Sequence, residues 1–210
     1  MGRSSDLAAR VTLERVLAHP ELVRLARRLS EIPGLQIEAV PPMREAAIAL
    51  VLRSGALDEP ELLMIKRAEH ETDPWSGHVA CPGGRREPGD RDLEQTAIRE
   101  TWEETGVDLG SVGRMLGTLD DISPRTPVLP PIVIRPFVAA VPSHVELVQS
   151  PEVAAAFWVP LSALRATTSW STGTVMVRGV ERSVPTFTHG EYQVWGLTER
   201  VLKQLLERMC

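Results

Sequence analysis

The chain has 210 residues, of which 43% are hydrophobic and 24% charged, with a net charge of -5; these are ordinary values for a soluble globular protein with one substantial core and extensions. The acidic balance and the lack of a basic run exclude a general nucleic-acid binder, and the longest strongly apolar run, Ala46 to Leu52, is too short to cross a bilayer. Two cysteines, Cys81 and Cys210, make no disulfide framework and, with an N-terminus lacking an apolar signal segment, point to the cytoplasm.

Leu7, Val11, Leu17, Leu22, Leu25 and Leu29 recur at helical spacing, interrupted by Pro20 and closed by Pro33-Gly34. The spacing predicts two short helices in an N-terminal extension over residues 1–40, a candidate homodimer interface. Val40-Pro41-Pro42 marks the boundary before a domain over residues 41–210. Ala46 to Leu52 and Glu61 to Ile65 read as strands, followed by a loop at Asp73 to His78. Beyond Val107, further strands are expected at Val112 to Leu119, Ile132 to Val141 and Phe157 to Val159, with a proline-rich loop from Asp120 to Pro131. Adjacent acids in a strand or loop point apart, so Asp120 and Asp121 are given a turn role rather than a metal. Pro151-Glu152 is a good helix start, and Leu161 to Leu164 should open a short helix. A hairpin over Thr174 to Phe187, a strand from Tyr192, and an amphipathic helix carrying Leu197, Val201 and Leu205 complete the chain. Trp195 reads as a packing anchor and Cys81 as a small buried apolar side chain.

The informative segment is PGGRREPGDRDLEQTAIRETWEETGV, Pro82 to Val107. Glu100, Glu103 and Glu104 fall at i, i+3 and i+4, on one face of a helix. Carboxylates crowded this closely repel, and Arg99 is the only base among them, so a divalent cation is the simplest remedy. Arg99 itself points about 100° round the helix, where it is placed to pair with Asp90 and pin the loop. Gly83-Gly84 permit close approach of backbone to a phosphate, and a carbonyl there is a candidate metal ligand. Asp92 with Gln95 predicts the helix start, and Gly106 its left-handed end.

These residues resemble the Nudix box: glycine, a spaced acid, then Arg-Glu-x-x-Glu-Glu-x-Gly. Thr101 stands where an aliphatic residue is usual, on the side expected to face the core. Asp90 replaces the proximal Glu, and eight residues rather than seven separate it from Arg99. That longer form, with Thr96-Ala97-Ile98-Arg99-Glu100, is similar to the coenzyme A pyrophosphatase-like subgroup, although the leucine-arginine pair that precedes the glycines there is absent. The resemblance implies a Nudix-type α/β/α sandwich with a mixed sheet, using Mg2+ or Mn2+. It implies Glu100 and Glu104 as direct metal ligands, Glu103 as a ligand or one acting through water, and Gly84 as a carbonyl donor. Glu100 is then the candidate base, with Arg99 and Glu103 in the catalytic set, and Glu152 an assisting acid. Lys66, Arg67, Gly83 and Gly84 face the substrate's phosphates.

The implied activity is hydrolysis of a nucleoside diphosphate linked to another group. Coenzyme A or a derivative leads; ADP-ribose, a nucleotide sugar or a nucleoside triphosphate is the alternative. A nucleotide sensor without catalysis is disfavoured, because all three box acids are present.

Overall fold

The computed structural model describes residues 12–70, 76–124, 131–177 and 179–210. Residues 12–17 are helical, and after the break at Ala18-His19 helix α1 spans Pro20–Glu31, as the two-helix reading requires. Pro20 suits the first helical position because its missing N–H needs no partner there, while the His19 side chain accepts from the Glu21 N–H. Leu22, Leu25 and Leu29 form the buried stripe of this helix.

A seven-stranded mixed sheet lies at the centre. Strand β1 (Arg44–Ser54) runs parallel to β6 (Ile132–Ala140) and antiparallel to β2 (Pro60–Arg67). Strand β5 (Arg114–Thr118) closes one edge against β6, and β7 (Val153–Pro160) pairs with β2 at the other. Strands β1 and β2 are paired only near their connecting turn, from Leu52↔Leu62 to Ser54↔Pro60. Beyond that they diverge, and two short strands fill the gap: β3 (Val79–Ala80) on β2 and β4 (Gly83–Arg85) on β1. This wedge carries the glycine pair into the sheet, where the sequence suggested only a loop.

Alternation along the strands divides the core into two layers. Ala47, Ala49 and Val51 face helix α2 (Leu93–Thr105), packing with Leu63, Ala97, Phe137 and Ala139. Leu50, Leu52, Leu62 and Met64 face the other way, onto Leu22, Leu25, Leu29, Leu202 and Leu205. The second layer is therefore built from α1, the short helix α4 (Leu161–Arg165) and the final helix α5 (Leu197–Met209), after a single helical turn, α3 (Leu109–Val112), on the first side. Cys81 joins this second layer, fully buried among apolar groups.

The hairpin is longer than its sequence suggests: β8 (Trp170–Val177), β9 (Val180–His189) and β10 (Tyr192–Trp195) make a separate three-stranded antiparallel sheet. Pro151-Glu152 does not start a helix. It is a turn that enters β7, whose eight residues extend the three expected at Phe157 to Val159, because the strand pairs with the whole of β2. Part of each loop expected at Asp73 to His78 and Asp120 to Pro131 lies outside the described residues, as does the chain before Thr12. Among the described residues, no helix is long and apolar enough to cross a membrane.

Candidate active site

Helix α2 begins where Asp92 accepts from the Gln95 N–H at 2.8 Å and ends at Gly106, in the left-handed conformation with φ 72°. Its buried side carries Thr96, Ala97, Thr101, Glu104 and Thr105. Thr101 tolerates this position because its hydroxyl donates to the Ala97 carbonyl, so no polar group is left unpaired. The last turn holds acids and no base, although the dipole at a helix C-terminus favours cations. Nothing in helix stability accounts for that arrangement.

Glu104 is the innermost acid, its side chain only 4% exposed. One oxygen accepts from the Gly83 N–H at 2.8 Å and the other lies 3.6 Å from the Arg67 guanidinium. Burial pushes its pKa up to about 7; the Gly83 hydrogen bond and Arg67 oppose this, and the charges of Glu100 and Glu152 add to it. Glu100 is raised as well, first by burial, against the pull of Arg99. Its carboxylate sits over Gly84, where a methyl group would overlap it. Gly83 is equally constrained: its φ is 153°, and a side chain there would strike the Ala47 carbonyl. Gly83 is thus demanded by its conformation and its close packing on strand β1, while Gly84 leaves room for the Glu100 carboxylate.

Arg99 ties this half of the site together. Its guanidinium donates to both Asp90 oxygens at 3.0 Å, to Glu100 at 3.0 Å, to Glu103 at 2.9 Å and to the Arg85 carbonyl at 3.0 Å. Asp90 is buried and also accepts from the Thr96 hydroxyl and the Glu87 N–H. The Arg99 hydrogen bonds hold its pKa far below the ordinary carboxylate range. The expected Asp90–Arg99 pair is present, and it fixes the loop from Arg85 to Asp90 against the helix. Glu103 is the outermost acid, 46% exposed.

The end of β2 supplies the opposite wall. The Ala68 N–H donates to the Glu152 carbonyl at 2.8 Å, and the Ser150 N–H to the Glu104 carbonyl at 3.3 Å, so the turn before β7 is anchored beside the box acids. Glu152 is consequently close enough for its charge to raise both Glu100 and Glu104. Lys66 is not brought to this cluster. Its cross-strand neighbours are Val79 and Ala155, and Val79 belongs to the layer of Leu62 and Met64. Lys66 continues the face of Leu62 and Met64, away from the carboxylates, and the register shift between Lys66 and Arg67 precedes the residue whose guanidinium meets Glu104. Asp120 and Asp121 are likewise separate. They bind Arg208 and Arg135, and accept from the Leu35 and Ile37 N–H groups. Trp195 packs on His78, ring centres 4.5 Å apart.

Four acids from two segments, two glycines and two arginines therefore converge where β1 and β2 part, and the match to a NUDIX domain spans residues 42–178, enclosing all of them. The chain belongs to the Nudix family. It is a Nudix hydrolase, an enzyme acting on nucleoside diphosphate derivatives. It is 29% identical over 180 residues to an uncharacterized Nudix hydrolase, NudL, of Photorhabdus laumondii, covering 83% of this chain and 93% of the relative. An uncharacterized protein of Schizosaccharomyces pombe is 40% identical over 109 residues, 50% of this chain but only 33% of that longer protein. Among solved structures, the NUDIX domain of Shewanella oneidensis NrtR, in complex with ADP ribose, aligns with a TM-score of 0.55 at 19% identity over 88% of this chain and 98% of its own. A Nudix hydrolase of Alicyclobacillus acidocaldarius aligns with a TM-score of 0.54 at 23% identity, over 80% and 93%.

Nudix hydrolases use divalent cations, and the donor chemistry here fits one. Glu100 and Glu104 are hard oxygen donors whose pKa values are raised first by burial and then by neighbouring acids, Glu103 and Glu152 for the former and Glu100 and Glu152 for the latter, a penalty that a cation removes. Among the described residues no three such side chains stand in a ligating arrangement. Arg99 and Arg67 engage these oxygens instead, so loading a cation means loosening those two contacts. What sequence reasoning missed was the Gly83 N–H, which aims Glu104. The signal was present in the glycine pair but was read for phosphate approach alone.

Proposed function

We propose that this Nudix hydrolase cleaves the diphosphate of coenzyme A or a derivative, with Mg2+ or Mn2+, to 4'-phosphopantetheine and adenosine 3',5'-bisphosphate. The observation that carries the hydrolytic site is the meeting of Glu100, Glu104 and Glu152 with Arg67 above Gly83-Gly84. The coenzyme A assignment rests on Asp90 and the run Thr96 to Glu100, whose spacing is that of the subgroup. Glu100 and Glu104 would hold the cation, with Glu103, Glu152 and the Gly84 carbonyl as further oxygen donors. When bound, the cation neutralises diphosphate charge and acidifies a water. Arg67 pairs with a phosphate oxygen, where its fork geometry orients the group. A Glu100 oxygen takes the water's proton, and burial, which raises its pKa, makes it a better base. Arg99 positions Glu100 and Glu103 while Asp90 fixes Arg99. The small-molecule substrate needs no nucleic-acid or membrane partner; a homodimer and a cytoplasmic location belong to the same proposal.

ADP-ribose is the second reading, since the NrtR domain was solved with it. The test is a competition assay containing coenzyme A, ADP-ribose, nucleotide sugars and triphosphates with either cation. Coenzyme A should show the highest kcat/KM, and Arg67→Ala should raise its KM about tenfold, the value of one charged hydrogen bond. A preference for ADP-ribose overturns coenzyme A, and no hydrolysis of any compound overturns the site.

A further inference from the structure

A cavity of about 350 Å3 opens on the other side of the glycine strand, bounded by the start of β1 and the Arg85 to Asp90 loop. Its charged walls are Arg44, Glu45, Arg85, Arg86, Glu87 and Asp90. Three of these six are already spent. Asp90 is committed to Arg99. Arg86 is paired with Glu45 at 2.8 Å and also donates to the carbonyls of Asp90 and Arg91. Glu45 is therefore the third, leaving Glu87 to face two arginines.

Those two are placed by the strand register. Arg85 lies opposite Ala46 in the β1–β4 ladder, and Arg44 is two residues before Ala46. Arg44 and Arg85 are thus diagonal neighbours on one face of the sheet, within reach of each other's long side chains. Both are exposed, and neither guanidinium has a carboxylate partner among the described residues. Two guanidinium groups at this diagonal spacing present a paired positive surface to an anion. The main chain holding them is fixed: the Arg44 N–H donates to the Pro131 carbonyl, and the Arg85 carbonyl accepts from Arg99. Arg85 also directly follows Gly84, over which the Glu100 carboxylate lies. The Arg85 side chain leaves on the opposite face of β4, but its carbonyl meets the same Arg99 that holds Glu100, so the cavity adjoins the hydrolytic site.

We infer that Arg44 and Arg85 bind a second anionic group of the substrate, a phosphate monoester on the nucleoside, while its diphosphate lies at the box carboxylates. This inference rests on the diphosphate hydrolase reading and adds to it a specificity site. A guanidinium pair suits a phosphate dianion, each fork engaging two oxygens, and Arg86, pinned by Glu45, lines the same cavity.

The test uses two matched pairs: coenzyme A against 3'-dephospho-coenzyme A, and ADP-ribose 2'-phosphate against ADP-ribose. In at least one pair the compound with the extra phosphate should have a kcat/KM roughly tenfold or more higher, as charged hydrogen bonds imply. The double variant Arg44→Gln, Arg85→Gln should bring that ratio close to one through KM, and Arg44→Lys, Arg85→Lys should restore part of it. Both side chains are exposed, and thermal melting checks that the variants fold. Hydrolysis with no discrimination in either pair, or discrimination that survives the double Gln variant, overturns the Arg44–Arg85 site and leaves the hydrolase standing. No hydrolysis of any of the four overturns both.

Discussion

Two acidic clusters look alike in the sequence and behave oppositely in the fold. Asp120 and Asp121 are adjacent acids, and the structure neutralises both: Arg208 and the Leu35 N–H serve the first, Arg135 and the Ile37 N–H the second. Glu100, Glu103 and Glu104 share Arg99 and Arg67, while the site adds Glu152 to the same neighbourhood. Each charge in the first cluster has its own cation, whereas the second cluster leaves anions unbalanced in a partly dry place. Acidity marks neither as a site. The deficit of local positive charge does, because burying unbalanced charge costs stability that folding alone has no reason to incur.

The comparison breaks most easily by neutralising each cluster in turn. Glu100→Gln and Glu104→Gln should each lower turnover at saturating metal by at least about a hundredfold, with little loss of stability. Near-normal turnover in either variant would show that the unbalanced cluster is not the reacting one. Asp121→Asn should do the reverse. Its carboxylate is fully buried and doubly bonded to Arg135, so denaturation should show a loss of about 2 kcal/mol, the scale of charged hydrogen bonds. Turnover per folded molecule should stay close to normal. A variant of unchanged stability would mean that the Asp121 charge is not structurally spent.

Acid titration sharpens the contrast within the active site. In metal-free protein, the Glu104 pKa near 7 lies above its ordinary 4.5. The folded state therefore holds an extra proton between those values, and stability should fall as pH rises from about 4.5 to about 7. Asp90 works in the opposite sense: its depressed pKa supplies stability above its ordinary 3.8, which is lost on further acidification. Denaturation of chelator-treated protein from neutrality to below pH 3.8 should give both slopes, and Glu104→Gln should remove most of the one nearer neutrality, leaving the share of Glu100. If that slope survives the substitution undiminished, another group is responsible. The smallest effect belongs to the cysteines. Burial pushes Cys81 up to about 12, while Cys210 is exposed. A thiol reagent at neutral pH should label Cys210 alone, and Cys81→Ser should leave turnover largely intact. Labelling of Cys81 in folded protein would contradict its burial.

The legible parts of the chain were those in which one local rule suffices. Helical spacing placed Glu100, Glu103 and Glu104 on one face, Asp92 and Gly106 marked the helix ends, and the side-chain direction of Arg99 led to Asp90. Strand centres at Ala46 to Leu52 and Ile132 to Val141 were legible for the same reason. Non-local geometry was not. The separation of β1 and β2 that admits Gly83–Arg85 as a strand depends on pairing across distant segments. The alternation that sends Lys66 away from the carboxylates becomes decisive only when the register is known. Pro151-Glu152 misleads as a helix start, because the free edge of β2 captures the following residues as β7.

Helix α1 shows where a fold's unit of inheritance ends. The family match starts at residue 42 and stops at residue 178, yet Leu22, Leu25 and Leu29 interlock with Leu119, Leu202 and Leu205 in one apolar layer. Arg208 of the final helix donates to the Ile32 carbonyl, and Arg165 of α4 to Glu21, so α1 is tied both to α5 and to the body of the domain. A destabilising substitution in either helix should consequently be felt by the other, though some 170 residues separate them.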